Sequence, residues 1–429
     1  MGETAHNSKL IAHMQHRIAN CSFVAPSVRA DCHDTVTSNP IIANISSSVT
    51  PAPPAYSAHC GTKQAVRWLL AFMVLLASVG IVGSTEWKQA IGPWQWSFPR
   101  DHGAHPEYRT EWWYFTGNLR DKDGKQYGYQ LTFFRQGVAI AASKPDNPWS
   151  IRDVYLAHFA IVDGTSGKFW HHDQASRSGP GLAGAKIGAM DVWTLAWSAK
   201  MTGNTIHLKA DKGEMALDLE LLPRKLKVLH GNKGLSTKGP NPGQASYYYS
   251  FTDLASKGTI RTALSNQPIA VTGTSWFDQE FGSNVLSPDQ VGWDWFGIHF
   301  SDGRDLMLFQ LRKKDGTIES SSSGTIIERD GTSRYLSQSD FSLGVLAQWK
   351  SPKSGGTYPA KWQIKIPSAG IDASLTPIVA NQELVTESST GVTYWEGAVT
   401  GTGTSHGTAV TIEGYAELTG YAGSLGGVF

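Results

Sequence analysis

The sequence predicts an all-β protein made of two tandem antiparallel β domains, each long enough to close a barrel. Three observations predict it. Glycine (45) and aromatic residues (16 Trp, 14 Tyr, 16 Phe) are plentiful, while charged residues make up only 17% of the 429 residues, against about 25% in an average domain. Short aromatic or β-branched runs alternate with turn signals. One aromatic hairpin pattern occurs twice. With 37 Lys+Arg against 36 Asp+Glu the net charge is +1, which argues against a strongly basic nucleic-acid binder and against an acidic tail.

The first 65 residues differ from the rest. They are rich in Ser, Ala, Pro, His and Asn and hold all three cysteines, Cys21, Cys32 and Cys60. No disulfide framework or cysteine zinc core therefore supports the chain beyond residue 65. The stretch 46–57 reads as linker or disordered chain. Arg67 then precedes an uncharged apolar run over 68–83, shorter than the about 20 residues of a spanning helix. Its positive flank and the small residues Val82 and Ser84 suit an export signal. Residues 66–84 are expected to be a signal peptide or a membrane anchor. Residues 1–65 are expected to be disordered, or an extension upstream of a true start at Val66.

From Pro93 onward the chain reads as strands. Tyr127–Arg135, Val154–Val162, Val192–Lys200, Thr205–Lys209 and Met215–Leu222 are typical, separated by turns such as Asp123-Gly124, Asp302-Gly303 and Asp330-Gly331. Trp113-Tyr114-Phe115 opens a hairpin that ends on Phe133-Phe134-Arg135. Asp294-Trp295-Phe296 opens a second that ends on Gln310-Leu311-Arg312. This repeat implies related domains over 92–285 and 286–429.

The densest chemistry lies in SWFDQEFGS (275–283). On a strand, Trp276, Asp278 and Glu280 share one face. Carboxyls among aromatics are raised by desolvation and can act as neutral acids. Asp278 and Glu280 are the candidate catalytic residues. In EWWYFTG (111–117) Glu111 and Trp113 share a face; in GWDWF (292–296) Asp294 lies between Trp293 and Trp295; YWEG (394–397) repeats the pattern. Such aromatic–acid–aromatic runs suit the inside of a ligand-binding barrel. Tyr247 and Tyr249 in KGPNPGQASYYYS (238–250) face one way. The candidate ligand-binding set is Glu111, Trp113, Tyr247, Tyr249, Trp276, Trp293, Asp294 and Trp295. No phosphate loop, dinucleotide fingerprint or zinc spacing occurs, so no cofactor or metal is expected. The G-x-S-x-G over 403–407 lies in a Gly/Thr-rich hairpin rather than on a nucleophile elbow.

HPEYRTEWWYFTGNL (105–119), GLAGA (181–185), KGPNPGQASYYYS, SWFDQEFGS, GWDWF, YWEGAV and GYAELTGY (414–421) together resemble the AttH/CrtC group, over about residues 95–422. The group is called lipocalin-like or carotenoid 1,2-hydratase-like, and some members are labelled secreted hydrolases. The resemblance implies two tandem lipocalin-like, calycin-type barrels. It also implies a hydratase chemistry in which a carboxylic acid protonates an isolated C=C and water captures the cation. The proposed donor matches Asp278, with Trp276 where the hydratases carry a tyrosine. Tyr247-Tyr248-Tyr249 stands where they carry a His-x-Trp pair. What carries over is the apolar cavity and the acid in it.

The expected function is an exported, periplasmic or cell-envelope protein that binds an apolar small molecule or lipid in a barrel or between barrels. The alternative is an enzyme that hydrates, isomerises or cyclises an apolar substrate with Asp278 as proton donor. Sugar binding by exposed Trp149, Trp170 or Trp349 is a third reading. Neither a nucleic-acid partner nor a cofactor is expected.

Overall fold

The computed structural model describes residues 86–140, 147, 149–265, 267–283 and 286–426. The expectations for residues 1–65 and for the apolar run 68–83 lie outside the described residues. Within them the protein is all-β, and the helical pieces are the three-residue turns Arg100–His102, Gln338–Asp340 and Pro367–Ala369.

Two antiparallel sheets account for the chain. Across the first, the strands run Lys168–Arg177, Asp153–Asp163, Gln126–Gly137, Thr110–Asp121, Ile269–Gly282, Ala245–Arg261, Met215–Pro223, Thr205–Lys212, Trp197–Thr202, Asp191–Thr194 and Ala183–Ala185. Across the second they run Ser333–Ser337, Ser323–Ile327, Asp305–Lys313, Gln290–Phe300, Thr408–Leu418, Thr393–Ser405, Ile371–Pro377, Thr357–Ile366 and Ser342–Lys350. The two share one plan. A four-strand meander starts each sheet, and its first strand also pairs with the last long strand. The repeated hairpins, 110–137 and 290–313, hold equivalent places in the two sheets.

The first sheet curls into a nearly closed barrel, and the second curls only halfway. The barrel's seam is bridged where Gln174 Nε2 donates to the Thr194 carbonyl at 2.8 Å. Its interior is filled by Trp113, Phe115, Tyr129, Phe159, Trp197 and their neighbours. Each such side chain removed from water contributes about 1.5–3 kcal/mol. The half-barrel packs Phe296, Trp362, Trp395 and Ile364 in a second core.

The predicted strand Val192–Lys200 is two strands. Leu195 takes a positive φ of 53° and turns the chain, so Thr194 pairs with Trp197. Composition alone carries no signal for a left-handed leucine.

The strands of the repeat are buried on both faces. Odd residues of Thr110–Asp121 enter the barrel core, while Tyr114 meets the other sheet in a third core with Tyr248, Trp276, Trp295, Phe309 and Tyr415. The outer face of the barrel thus packs on the outer face of the half-barrel. Two glycines permit this approach. A Cβ on Gly128 would meet the Ala398 Cβ at 2.6 Å, and one on Gly297 would meet the Trp276 ring of the barrel at 3.0 Å.

Candidate functional site

A cavity of about 200 Å³ lies between the two sheets rather than inside either barrel. It exceeds the ~150 Å³ apolar void that can take up benzene. The barrel contributes Trp112, Tyr114, Phe134, Tyr248, Asp278 and Glu280, and the half-barrel contributes Trp293, Trp295, Phe309, Tyr394, Glu396 and Glu417. The wall is mostly aromatic and aliphatic, with four carboxyls and Lys238 set into it.

Strand alternation places these groups. Asp278 lies between two strands, opposite Tyr114 on one side and Ser250 on the other. Tyr248 Oη donates to Asp278 Oδ2 at 2.6 Å, and Trp276 Nε1 donates to Oδ1 at 2.6 Å. Ser250 Oγ also donates to Oδ1. Burial raises the Asp278 pKa, the three donors oppose it, and burial wins: the carboxyl is pushed up to about 7. No cation pairs with Asp278 among the described residues. Oδ1 accepts two hydrogen bonds and Oδ2 one, so a lone pair of Oδ2 is the place left for a proton.

The supports of Asp278 reach across both sheets. Trp295 Nε1 donates to Tyr248 Oη at 3.0 Å. The buried His230 spans Ser250 Oγ at 2.6 Å and Thr325 Oγ1 at 2.9 Å. Burial and the nearby Lys238 push this imidazole down to about 3, so it is neutral. Because Ser250 gives its proton to Asp278, the His230 Nε2 carries the hydrogen it shares with Ser250.

Glu280, two residues on, accepts from Ser246 Oγ and pairs with Lys238 Nζ at 3.1 Å. The same ammonium lies 4.0 Å from the centre of the Phe309 ring. On the opposite wall Glu417 accepts from Trp293 Nε1 at 3.0 Å, and burial pushes it up to about 7. Glu396 is its cross-strand neighbour.

Of the sequence-predicted residues, the structure brings Asp278, Glu280, Trp293 and Trp295 to this cavity, with Trp276 behind Asp278 as its hydrogen-bond donor. It places the other five elsewhere. Glu111 is a buried counterion: Arg135 Nε approaches it at 3.3 Å and His105 Nδ1 at 2.7 Å. Trp113 belongs to the filled barrel core. Tyr247 and Tyr249 point away from Tyr248 and are covered by the chain's own Trp94, Trp96 and Phe98. Asp294 faces the half-barrel, where Arg312 Nε donates at 3.1 Å and Tyr421 Oη at 3.0 Å. The acid of each repeated motif is therefore the partner of the arginine that ends the same hairpin. The arginines Arg135 and Arg312 were visible in the repeat, and they were the signal for this.

Sequence reasoning missed Trp112, Tyr114, Tyr248, Lys238 and Glu417 as cavity residues. Alternation shows that Trp112 and Tyr114 oppose Glu111 and Trp113. It does not say which face meets the cavity when both faces are buried.

The AttH-like family model matches residues 89–421. An AttH-type structure from Nitrosomonas europaea is 34% identical, with a TM-score of 0.69 over 78% of this chain and 99% of its own. Kievitone hydratase from Nectria haematococca shares the fold at 17% identity, with a TM-score of 0.59 over 79% of this chain and 97% of its own. No curated protein matches the chain significantly. Two sheets of one plan, the motifs 105–119 and 275–283 on paired strands of the first, and a match over nearly all the described residues lead to one conclusion: the chain belongs to the AttH-like family.

Proposed function

We propose that the chain binds an apolar, unsaturated small molecule between its barrels and protonates it from Asp278. The observation that carries this reading is a buried carboxyl with no cation partner among the described residues, set in an aromatic wall and raised to about 7 by its burial. Such a group is half protonated at neutral pH and can serve as a general acid. The relative named a hydratase shows that this fold can be built around water addition.

In the proposed step the Asp278 Oδ2 proton passes to one alkene carbon, and the π pair becomes the new C–H bond. Trp295 and Tyr248 line the cavity beside Asp278, and aromatic rings there would stabilise the cation left on the other carbon. Water adds to it. The water's second proton goes to Glu280 or returns to the Asp278 carboxylate, which restores the acid. Isomerisation is the same step without water: a neighbouring carbon loses the proton instead.

Incubating the chain with isoprenoid alkenes in deuterium oxide tests this. Deuterium on carbon with a hydroxyl on its neighbour is expected, and Asp278→Asn should slow it by about a hundredfold or more. Unchanged turnover in Asp278→Asn contradicts the assignment.

We also propose that the run 68–83 exports the chain to the cell envelope, cleaved or as an anchor. N-terminal sequencing of the native protein checks it: a start near Thr85 means a cleaved signal, and peptides from residues 1–60 in the envelope protein contradict a start at Val66.

A further inference from the structure

One corner of the cavity is chemically unfinished. Glu396 is 1% exposed and lines the cavity, yet neither of its carboxyl oxygens has a hydrogen-bond partner among the described residues. The Tyr114 hydroxyl, also on the cavity wall, has none either. A buried polar group without a partner costs about 1–3 kcal/mol in a stable fold, so two at one place call for a reason.

The neighbour that could complete Glu396 is already committed. Tyr394 lies two residues before it on the same face of the strand Thr393–Ser405. Its hydroxyl lies 2.8 Å from His158 Nδ1, and His158 Nε2 lies 2.9 Å from Ser389 Oγ. Ser389 Oγ donates to Asp173 Oδ2 at 2.7 Å. A carboxylate only accepts, so the Ser389 proton is spent on Asp173. His158 Nε2–H must then donate to Ser389, and its Nδ1 lone pair must receive the Tyr394 proton. Burial and the nearby His171 push His158 down to about 3, which fits this neutral tautomer. Tyr394 therefore turns an oxygen lone pair, not a hydrogen, toward Glu396.

We infer that the Glu396–Tyr114 corner binds the hydroxyl group of an otherwise apolar ligand. The inference rests on the cavity reading above and names the ligand class for it. A hydroxyl donates one hydrogen to a Glu396 oxygen and offers lone pairs to the Tyr114 O–H. An ether offers only lone pairs, and an ammonium offers only donors. Burial, with the facing Glu417, raises Glu396 well above the ordinary carboxyl range. The Tyr114 hydroxyl is near enough to oppose part of the rise, though it does not complete a hydrogen bond with Glu396. The neutral acid presents both an O–H and a carbonyl oxygen: a hydroxyl can donate to the carbonyl while accepting a hydrogen, whereas an ether accepts only and leaves the buried carbonyl unpaired.

The corner also orients the ligand toward Asp278. On the sheet Glu417 lies between Glu396 and Trp295, paired to both by register. Trp295 then bonds to Tyr248, which bonds to Asp278. A ligand with its hydroxyl at Glu396 lies along the Trp295 indole with its far part at the acid.

The test titrates the full chain with 4-butylphenol and with its methyl ether, 4-butylanisole, following tryptophan fluorescence. The phenol is expected to bind about tenfold tighter or more. Glu396→Leu should erase that preference, so that phenol and anisole bind alike. Tyr114→Phe, which removes one oxygen and keeps the ring, should reduce the preference and guards against a folding defect in the first variant. Equal binding of the two probes by the native chain overturns the hydroxyl corner and leaves the cavity reading standing. A preference that survives in Glu396→Leu overturns it too. Failure of both probes to bind contradicts the cavity reading, and this inference with it.

Discussion

Asp278→Asn should change the pH dependence of stability, and its sign follows from the burial. In the unfolded chain the carboxyl titrates near 3.8; in the fold it is raised to about 7. Below about pH 4 both states hold the proton, and the group makes no difference to stability. As pH rises the unfolded chain releases its proton first, so stability falls, and the loss is complete once pH passes the folded value. Each tenfold in proton affinity is about 1.4 kcal/mol, so the loss is about 4 kcal/mol. An asparagine has no proton to hold. Its own imperfect fit against Tyr248, Ser250 and Trp276 is constant with pH and drops out of the comparison. The stability of Asp278→Asn relative to the native chain should therefore rise by about 4 kcal/mol between about pH 4 and about pH 8. Glu417 and Glu396 destabilise both proteins in the same direction. The Asp278 charge is one cause of the raised Glu417, so its removal adds slightly to the rise. Urea unfolding at a series of pH values, followed by tryptophan fluorescence, measures the difference. A difference that stays flat with pH would mean that Asp278 ionises as a solvated aspartate does, and the general-acid reading would fall.

Three further outcomes follow from the buried networks. Arg135→Met should cost about 3–5 kcal/mol, because it strands Glu111 and Asp153 without the guanidinium that now meets them at 3.3 and 2.9 Å; adding Glu111→Gln should recover part of the loss in the same urea assay. Burial lowers the His105 pKa, but Glu111 and Asp101 outweigh it and raise the group to about 9. Its contribution is full below about pH 6.5 and lost as pH rises through about 9, worth about 3 kcal/mol, and His105→Gln should remove that alkaline decline. His230→Ala should cost about 2–4 kcal/mol by leaving the Ser250 and Thr325 hydroxyls short of a partner. Because the imidazole joins the two sheets, limited proteolysis between the barrels should speed up as well.

Much of the fold was legible because its signals are local. Aromatic runs bounded by Asp-Gly turns mark strands, and Gly124, with a φ of +80°, is where the first hairpin reverses. The repeat was legible because both hairpins open on adjacent aromatic residues, turn at an Asp-Gly pair and end on an arginine. The site was legible only in part. Trp276, Asp278 and Glu280 share a face by period alone, as the strand Ile269–Gly282 shows. Which face meets the cavity is a tertiary fact. Period two identifies the inner face when the other face is wet, and here Trp113 and Tyr114 are both buried. The misplacement of Glu111, Trp113, Tyr247, Tyr249 and Asp294 has this one cause. Glu396 and Glu417 lie on separate strands, and their meeting depends on the register between Thr393–Ser405 and Thr408–Leu418. The pairing is set by a hairpin whose turn holds His406 at a φ of 49° and Gly407 at +81°.

The central claim is that an apolar molecule lies between the barrels. The most direct measurement is to purify the chain from its native host, extract it with organic solvent and identify what is released by mass spectrometry. Leu156, which lines the cavity, provides the control, since Leu156→Trp would fill the space. The expected result is a stoichiometric apolar molecule bearing a hydroxyl and a carbon–carbon double bond, or its hydration product, carried by the native chain and missing from Leu156→Trp. A native chain that is empty and takes up neither lipid nor polyene probes, or a ligand retained equally by the filled variant, would contradict it.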